Sequence, residues 1–281
     1  MKLCLLKNHL FEQLSLCYES AEAHAIAYRV LEAYGGYSKL DIALNPRVEV
    51  CSQVEKQIEQ ALVRLSNNEP LQYILGETYF YSNDFKVTSD TLIPRPETEE
   101  LVDWIIKDYS NSKDLQVLDI GTGTGCIAIS LAKHLNNAKV SAIDVSEKAL
   151  LVAQENAKRV GVSVDFIGQN ILESNELPQK YDIIVSNPPY VRNSEKEAMK
   201  ANVLDYEPDI ALYVSDEDPL IFYLKIARLF LKHANSNACL YFEINEYLGE
   251  SLKKELIDMG VRQVILKKDF TGRDRMMKVF L

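Results

Sequence analysis

Apolar residues in the first 75 positions recur three and four apart, as in Leu10, Leu14, Cys17 and Ala21, then Ile26, Val30 and Leu31. That spacing predicts amphipathic helices. Gly35-Gly36 breaks one of them, and Asn45-Pro46 marks another boundary. Residues 52–66 read as a further amphipathic helix, with Ser52 as its N-cap and Glu55 at the capping-box position. The segment carries no glycine-rich loop and no cluster of catalytic residue types. Residues 1–77 are therefore expected to form a small all-α domain.

The period changes at residue 79. In YFYSNDFKVTSDTLI, aromatic and β-branched residues alternate around Ser82-Asn83-Asp84, which predicts a β-hairpin linker over residues 78–93. Pro94 and Pro96 stiffen the chain, and acids fill the first turn of a helix expected over 97–107. Beyond residue 115, strand-like runs at 116–120, 139–144, 163–168, 181–186 and 238–244 alternate with helical stretches. The helices are expected at about 125–135, 146–160, 219–233 and 247–259, with two more strands closing the chain. Strands separated by helices of this length form a parallel, doubly wound α/β sheet, here over residues 94–281. The loop from Asp269 to Arg275 is too short for a parallel crossover, so the last two strands should pair antiparallel.

Composition narrows the class. With 47% apolar and 26% charged residues, the chain has enough Leu, Ile, Val and Tyr for a core, which excludes disorder as its main state. No apolar run approaches the length of a membrane span, and the first residues lack a signal-peptide core. The five cysteines (4, 17, 51, 126 and 239) form no Cys-x-x-Cys pair, and His is scarce. That pattern points away from a disulfide framework and from a metal site, and toward a reducing, cytoplasmic setting. A net charge of −10 argues against a polyanionic partner, so no stable nucleic-acid complex is expected.

Two motifs carry chemistry. Asp119-Ile120-Gly121-Thr122-Gly123-Thr124-Gly125 follows the first strand and opens a helix. Glycines let the backbone approach a ligand, and helix N-terminal amides favour anionic groups. The next strand ends in Asp144, an acid able to accept from ribose hydroxyls. A dinucleotide or S-adenosylmethionine would suit this loop, although Cys126 stands where the dinucleotide pattern needs its third glycine. The second motif, Asn187-Pro188-Pro189-Tyr190, follows the fourth strand. Its prolines fix the backbone and remove amide donors, which frees the Asn187 and Pro188 carbonyls as acceptors. The Asn187 side chain adds an amide oxygen, and Tyr190 a flat aromatic face. Such a set can hold a planar –NH2 group with its nitrogen lone pair aimed at an electrophile.

Together these residues resemble a class I S-adenosylmethionine-dependent methyltransferase acting on a planar nitrogen, and the whole chain resembles the HemK/PrmC family. Further support comes from Pro70-Leu71-Gln72-Tyr73-Ile74-Leu75-Gly76, Ile93-Pro94-Arg95-Pro96-Glu97-Thr98-Glu99, Tyr206-Glu207-Pro208 with Ala211-Leu212, and Asp269-Phe270-Thr271-Gly272-Arg273-Asp274-Arg275. The chain departs from the family at Asn245, where many relatives have glycine after the fifth strand. The resemblance implies a seven-stranded, mostly parallel sheet with an antiparallel last strand. It implies transfer of a methyl group from S-adenosylmethionine to the glutamine amide in the Gly-Gly-Gln motif of class I peptide chain release factors, with S-adenosylhomocysteine as product. Residues 121–125, Asp144, Asn170, Leu172 and Asn187 would line the cofactor. Asn187, Pro188 and Tyr190 would be catalytic, and Asn187 through Tyr190, with Arg95 and Glu97, would meet the substrate. Thr98 would help to shape the mouth. The helical domain would dock the protein substrate, and the enzyme would act as a monomer.

Other readings remain open on the residues. An adenine amino group fits the Asn-Pro-Pro-Tyr cradle, so a nucleic-acid amino-group methyltransferase is the alternative, opposed by the net charge. A non-enzymatic cofactor-binding scaffold leaves Asn187–Tyr190 without a task. An NAD-dependent oxidoreductase lacks the required glycine spacing.

Overall fold

The computed structural model describes residues 1–281, the side chain of Ala198 set aside. Its internal contacts divide the chain into two compact units. One comprises Met1–Gly76 with Lys200–Tyr206, the other Glu77–Met199 with Glu207–Leu281.

The first unit contains helices α1 (Leu3–Leu14), α2 (Ser20–Gly35), α3 (Lys39–Leu44), α4 (Ser52–Ser66) and α5 (Leu71–Leu75). Its core is built from one face of each long helix: Leu3, Leu6, Leu10 and Leu14 from α1, Ala23, Ile26, Ala27, Val30 and Leu31 from α2, and Ile58, Ala61, Leu62 and Leu65 from α4. The apolar spacing does not run on from Leu14 to Cys17 and Ala21, which are both exposed. The helix stops first, with the Ser15 hydroxyl turned back onto the Phe11 carbonyl at 2.7 Å. Gly36, at φ +68°, terminates α2. At α4 the N-cap is Cys51, not Ser52, and no side chain caps the helix. The Glu55 carboxylate is engaged by the Met1 ammonium and does not close a capping box. The capping box stands instead at Ser38 and Asp41, at the start of α3.

The second unit begins with a hairpin, β1 (Glu77–Phe80) and β2 (Asn83–Lys86), and continues with α6 (Pro96–Asp108). Then come β3 (Gln116–Ile120), α7 (Cys126–His134), β4 (Lys139–Asp144), α8 (Glu147–Val160), β5 (Asp165–Gly168) and β6 (Tyr181–Ser186). Short elements follow: β7 (Val191–Arg192), a 3-10 turn over Asn193–Ala198, α9 (Ala201–Leu204, in the first unit), α10 (Asp209–Leu212) and β8 (Tyr213–Val214). The chain ends with α11 (Ile221–His233), β9 (Ala234–Glu243), α12 (Gly249–Asp258), β10 (Gln263–Lys268) and β11 (Asp274–Phe280).

Seven strands form one sheet in the order β10-β11-β9-β6-β3-β4-β5. Strands β5, β4, β3, β6 and β9 run parallel, and β11 is antiparallel to both of its neighbours. Alternation along each strand feeds two cores. Leu118, Ile184, Leu240 and Phe242 meet α11 and α12 on one face. Val117, Ile183, Val185 and Tyr241 meet α6 and α7 on the other, where Phe80 and Phe85 of the hairpin also pack. Strand β9 starts four residues earlier than the sequence pattern predicts. Ala234 pairs with Tyr181 across a register shift, which carries the polar stretch Asn235–Asn237 into the strand. Among the described residues, no helix is long and apolar enough to cross a membrane.

The strand order reverses between β3 and β6, since the chain runs outward through β4 and β5 before returning. A crevice opens beside the carboxyl ends of parallel strands at such a switch point. Both motifs lie there, one after β3 and the other after β6.

Candidate active site

The first wall of the cleft is the glycine loop. Asp119, fully buried near the end of β3, accepts from the Thr122 hydroxyl at 2.6 Å and from the Ala128 amide at 3.3 Å. These bonds fold the loop back onto the first turn of α7. Burial pushes the Asp119 carboxyl up to about 7, against the opposing pull of those two donors. Its Oδ1 has no hydrogen-bond partner among the described residues. Gly125 has φ +81°, and a Cβ there would stand 2.8 Å from the Ile129 side chain and 3.1 Å from that of Ala153. Gly123, at φ +55°, faces the other way: a Cβ there would meet no protein atom within 4 Å. Asp144 accepts from the Gly123 amide at 2.8 Å and from the Ser146 amide at 2.9 Å. One bond on each oxygen leaves acceptor capacity on both.

Asn170 and Leu172 continue this wall beyond β5. The Asn170 amide is occupied locally: its oxygen accepts from the Leu172 amide at 3.1 Å and its nitrogen donates to Glu173 at 2.9 Å. It fixes the turn that puts Leu172 on the cleft wall.

The second wall follows β6. The Ser186 hydroxyl donates to the Ile120 carbonyl at 2.7 Å, locking the ends of β6 and β3 together. Asn187 donates from Nδ2 to Thr98 Oγ1 at 3.3 Å, and Thr98 donates to Glu243 Oε2 at 2.6 Å. Tyr190 donates to the other oxygen, Glu243 Oε1, at 2.9 Å. Glu243 is 1% exposed. Burial raises its carboxyl above the usual range, while both hydroxyl donors and the Arg275 charge oppose that rise. Burial and the nearby Glu243 charge push the Tyr190 phenol up. Asn245, the departure from the family pattern, donates to the Tyr190 carbonyl at 3.0 Å and to Glu195 at 3.0 Å. It ties the motif to the 3-10 turn that follows.

One cleft of about 260 Å³ is lined by Gly121, Gly123, Asp144, Asn170, Leu172, Asn187, Pro188 and Pro189. Other expected residues stand off its wall. Thr122 and Thr124 are buried within the loop, and Gly125 is packed against α7 and α8. Tyr190 turns its hydroxyl to Glu243. Arg95 pairs with the buried Glu207 at 2.6 Å, and the second Glu207 oxygen accepts from the Ile93 amide at 3.2 Å. Glu97 lies in the first turn of α6. Sequence reasoning missed Thr91, Leu92, Ile210 and Phe222 on the cleft wall. It also gave Glu243 no role, although a lone acid in the apolar run ACLYFEI was a usable signal.

Comparison with known proteins agrees with this architecture. A family model described as the PrmC N-terminal domain matches residues 8–76, and one described as the methyltransferase small domain matches residues 98–206. A release factor glutamine methyltransferase of Flavobacterium psychrophilum is 49% identical, over 98% of this chain and 99% of its own. Its counterpart from Bacteroides thetaiotaomicron is 42% identical over 92% and 93%, and that of Streptococcus pneumoniae 38% over 99% and 98%. Among solved structures, a methyltransferase from Pyrococcus furiosus superposes with a TM-score of 0.52 at 19% identity, covering 79% of this chain and 98% of that one. The human METTL16 catalytic domain superposes with a TM-score of 0.55 at 18% identity, covering 84% and 85%.

Proposed function

The chain belongs to the release factor glutamine methyltransferase family, and from that premise we propose that it transfers a methyl group from S-adenosylmethionine to the side-chain amide nitrogen of the Gly-Gly-Gln glutamine in class I peptide chain release factors. The observation that carries this reading is the meeting of both motifs on one cleft, with Gly121, Gly123 and Asp144 on one wall and Asn187, Pro188 and Pro189 on the other.

The glycine wall fits the methyl donor. Gly123 leaves space where any other residue would place a Cβ. Asp144 keeps an acceptor on each oxygen for ribose hydroxyls, and Leu172 and Ile171 offer apolar cover for a purine. When bound, S-adenosylmethionine supplies an electrophilic methyl group on a sulfonium. The residues of this chain do the remainder. An amide nitrogen is a poor nucleophile, because its lone pair is delocalised into the carbonyl. Asn187 Oδ1 and the backbone carbonyls of the motif accept its two hydrogens, favour a pyramidal nitrogen and aim the lone pair along the line of attack. The nitrogen–carbon bond forms as the sulfur–carbon bond breaks, and S-adenosylhomocysteine leaves as product. The displaced proton, acidified as the methyl arrives, goes to water. Orientation of this kind can supply several kcal/mol of the barrier, and acceptors around the developing charge supply more.

The helical unit is proposed to dock the release factor, since one glutamine on a loop offers little of the ~1,200 Å² that specific recognition needs. The enzyme is proposed to act as a cytoplasmic monomer without a stable nucleic-acid partner. An adenine amino group would fit the same cradle, but the names of the relatives favour glutamine.

The test uses methyl-labelled S-adenosylmethionine, purified class I release factor, and peptide mass spectrometry. Label should appear on the Gly-Gly-Gln glutamine and vanish when that residue is Ala. Asn187→Ala should lower kcat by about 100-fold, with a much smaller change in donor affinity. Full transfer by that variant would overturn the proposed mechanism.

A further inference from the structure

Behind the cleft wall, a chain of hydrogen bonds fixes which way the Asn187 amide points. It begins at Glu243, whose two oxygens receive Thr98 and Tyr190. Burial raises the Glu243 carboxyl, and Arg275, which donates to Asp269 at 3.2 Å and to the Ile244 carbonyl at 3.3 Å, brings a positive charge that opposes the rise, as do the two hydroxyl donors. A carboxylate can only accept. With Thr98 and Tyr190 each donating to one of its oxygens, Glu243 is the acceptor of both bonds, and Thr98 spends its single hydroxyl proton there, at 2.6 Å. What Thr98 has left is acceptor capacity, and the group that meets it is the Asn187 Nδ2, at 3.3 Å. With its nitrogen committed behind the wall, the amide oxygen is the branch left for the cleft that Asn187 lines. The reverse orientation would set an –NH2 group against the –NH2 of an incoming amide, and two donors cannot bond each other.

We propose that Thr98 and Glu243 are positioning residues for methyl transfer, which together hold Asn187 in the one amide orientation that can accept from the substrate amide. The proposal rests on the Asn187 role given above and adds the residues that enforce it. Neither residue touches the reacting atoms. Thr98 comes from the start of α6 and Glu243 from the end of β9, so two elements far apart in sequence converge on one side chain. Both are buried, and Thr98 is 2% exposed.

The decisive comparison is Thr98→Val against Thr98→Ser. Valine keeps the size of the side chain and removes both the donor and the acceptor, whereas serine keeps both. Each variant is assayed for kcat on intact release factor, for S-adenosylmethionine affinity by calorimetry, and for Tm. Thr98→Val should lose about 10- to 100-fold in kcat, the range expected when a reacting group is misaligned, with donor affinity within threefold of wild type. Thr98→Ser should recover kcat to within threefold. Glu243→Gln should also lose kcat, because its amide can donate to Thr98 and reverse the chain. The double variant should be no slower than Thr98→Val alone, since both changes break one route.

Thr98→Val at wild-type kcat overturns the proposal. So does a Thr98→Ser variant that fails as badly as valine, which would make the site one of packing. If Thr98→Val unfolds, Glu243→Gln and Thr98→Ser decide between the same outcomes. Wild-type enzyme that leaves the Gly-Gly-Gln glutamine unlabelled would refute the underlying reading itself, and this proposal with it.

Discussion

Asn156 has no place in either motif, yet it holds the hairpin and the glycine loop together. It lies on α8 and is fully buried. Its Oδ1 accepts from the Lys86 amide at 2.7 Å. Its Nδ2 donates to the Lys86 carbonyl at 3.0 Å and to the Thr124 carbonyl at 2.9 Å. One side chain thus serves three backbone groups, two at the end of β2 and one inside the glycine loop. Asn156→Ala leaves all three without this partner. A buried polar group left unsatisfied costs about 1–3 kcal/mol. Counting the amide near the top of that range and the two carbonyls near the bottom, the loss comes to about 5 kcal/mol. For a unit of roughly 200 residues, each kcal/mol shifts Tm by about 2–4 °C, so a fall of about 10–20 °C is expected. Asn156→Asp should be at least as harmful. It keeps an acceptor for the Lys86 amide but turns a second carboxylate oxygen toward two carbonyls. Calorimetry gives Tm, and hydrogen exchange at the Lys86 amide reports on the broken bond directly. A Tm within 2 °C of wild type, with Lys86 still protected, would refute this account of what joins hairpin and loop.

The two glycines that face opposite ways should separate folding from binding. Gly125→Ala forces a Cβ to within 2.8 Å of Ile129 and should lower stability by about 1–3 kcal/mol, read by urea unfolding. Gly123→Ala meets no protein atom, so its Tm should fall less while its affinity for S-adenosylmethionine drops at least tenfold by calorimetry. Asp119 should leave a signature in pH. Its carboxyl stands at about 7 when folded against an ordinary 3.8, so between those values the folded state holds a proton that the unfolded chain has lost. Stability from this group is present at low pH and is lost as pH rises through that window, by up to about 4 kcal/mol. Subtracting the urea midpoints of Asp119→Asn from those of wild type between pH 4.5 and 7.5 isolates the slope, and parallel curves would contradict it.

What the sequence made legible was whatever is contiguous in it. The alternation of strand and helix, the glycine loop and Asn187–Tyr190 each sit within a short window, and the period of apolar residues reports them directly. Contacts that close over long separations left no such trace. Thr98 and Glu243 are 145 residues apart, and their bond exists only because α6 packs beside β9. The start of β9 was hidden for a related reason: Asn235–Asn237 has the composition of a loop, and only its neighbour β6 makes it a strand. Ser52 is not the cap because the helix begins one residue earlier than its side chain suggested, with Cys51 at the N-cap, and Glu55 is engaged by a remote group, the Met1 ammonium. The Cys17 and Ala21 spacing misled because helical period persists in the sequence across a turn that ends the helix.

The chemistry of the acceptor wall explains why its charge lies one step behind it. A carboxylate in place of the Asn187 amide would hold a substrate –NH2 well, since an ionised acceptor bonds more strongly than a neutral one. It would also be a better nucleophile than the amide nitrogen, and an electrophilic methyl group would find it first. On the proposed mechanism, neutral oxygens from Asn187 and from the backbone carbonyls of the motif would hold the amide without competing for the methyl. The orientation that makes Asn187 an acceptor still needs a group that can only accept, and Glu243 supplies it from within the core. Both of its oxygens are bonded, to Thr98 and Tyr190, and 1% of the residue is exposed. The cost of burying that carboxyl is only partly offset by two hydroxyl donors and by the Arg275 charge. On this reading the apolar run that ends β9 contains an acid because the orientation of Asn187 needs an acceptor behind Thr98, placed where the methyl cannot reach it.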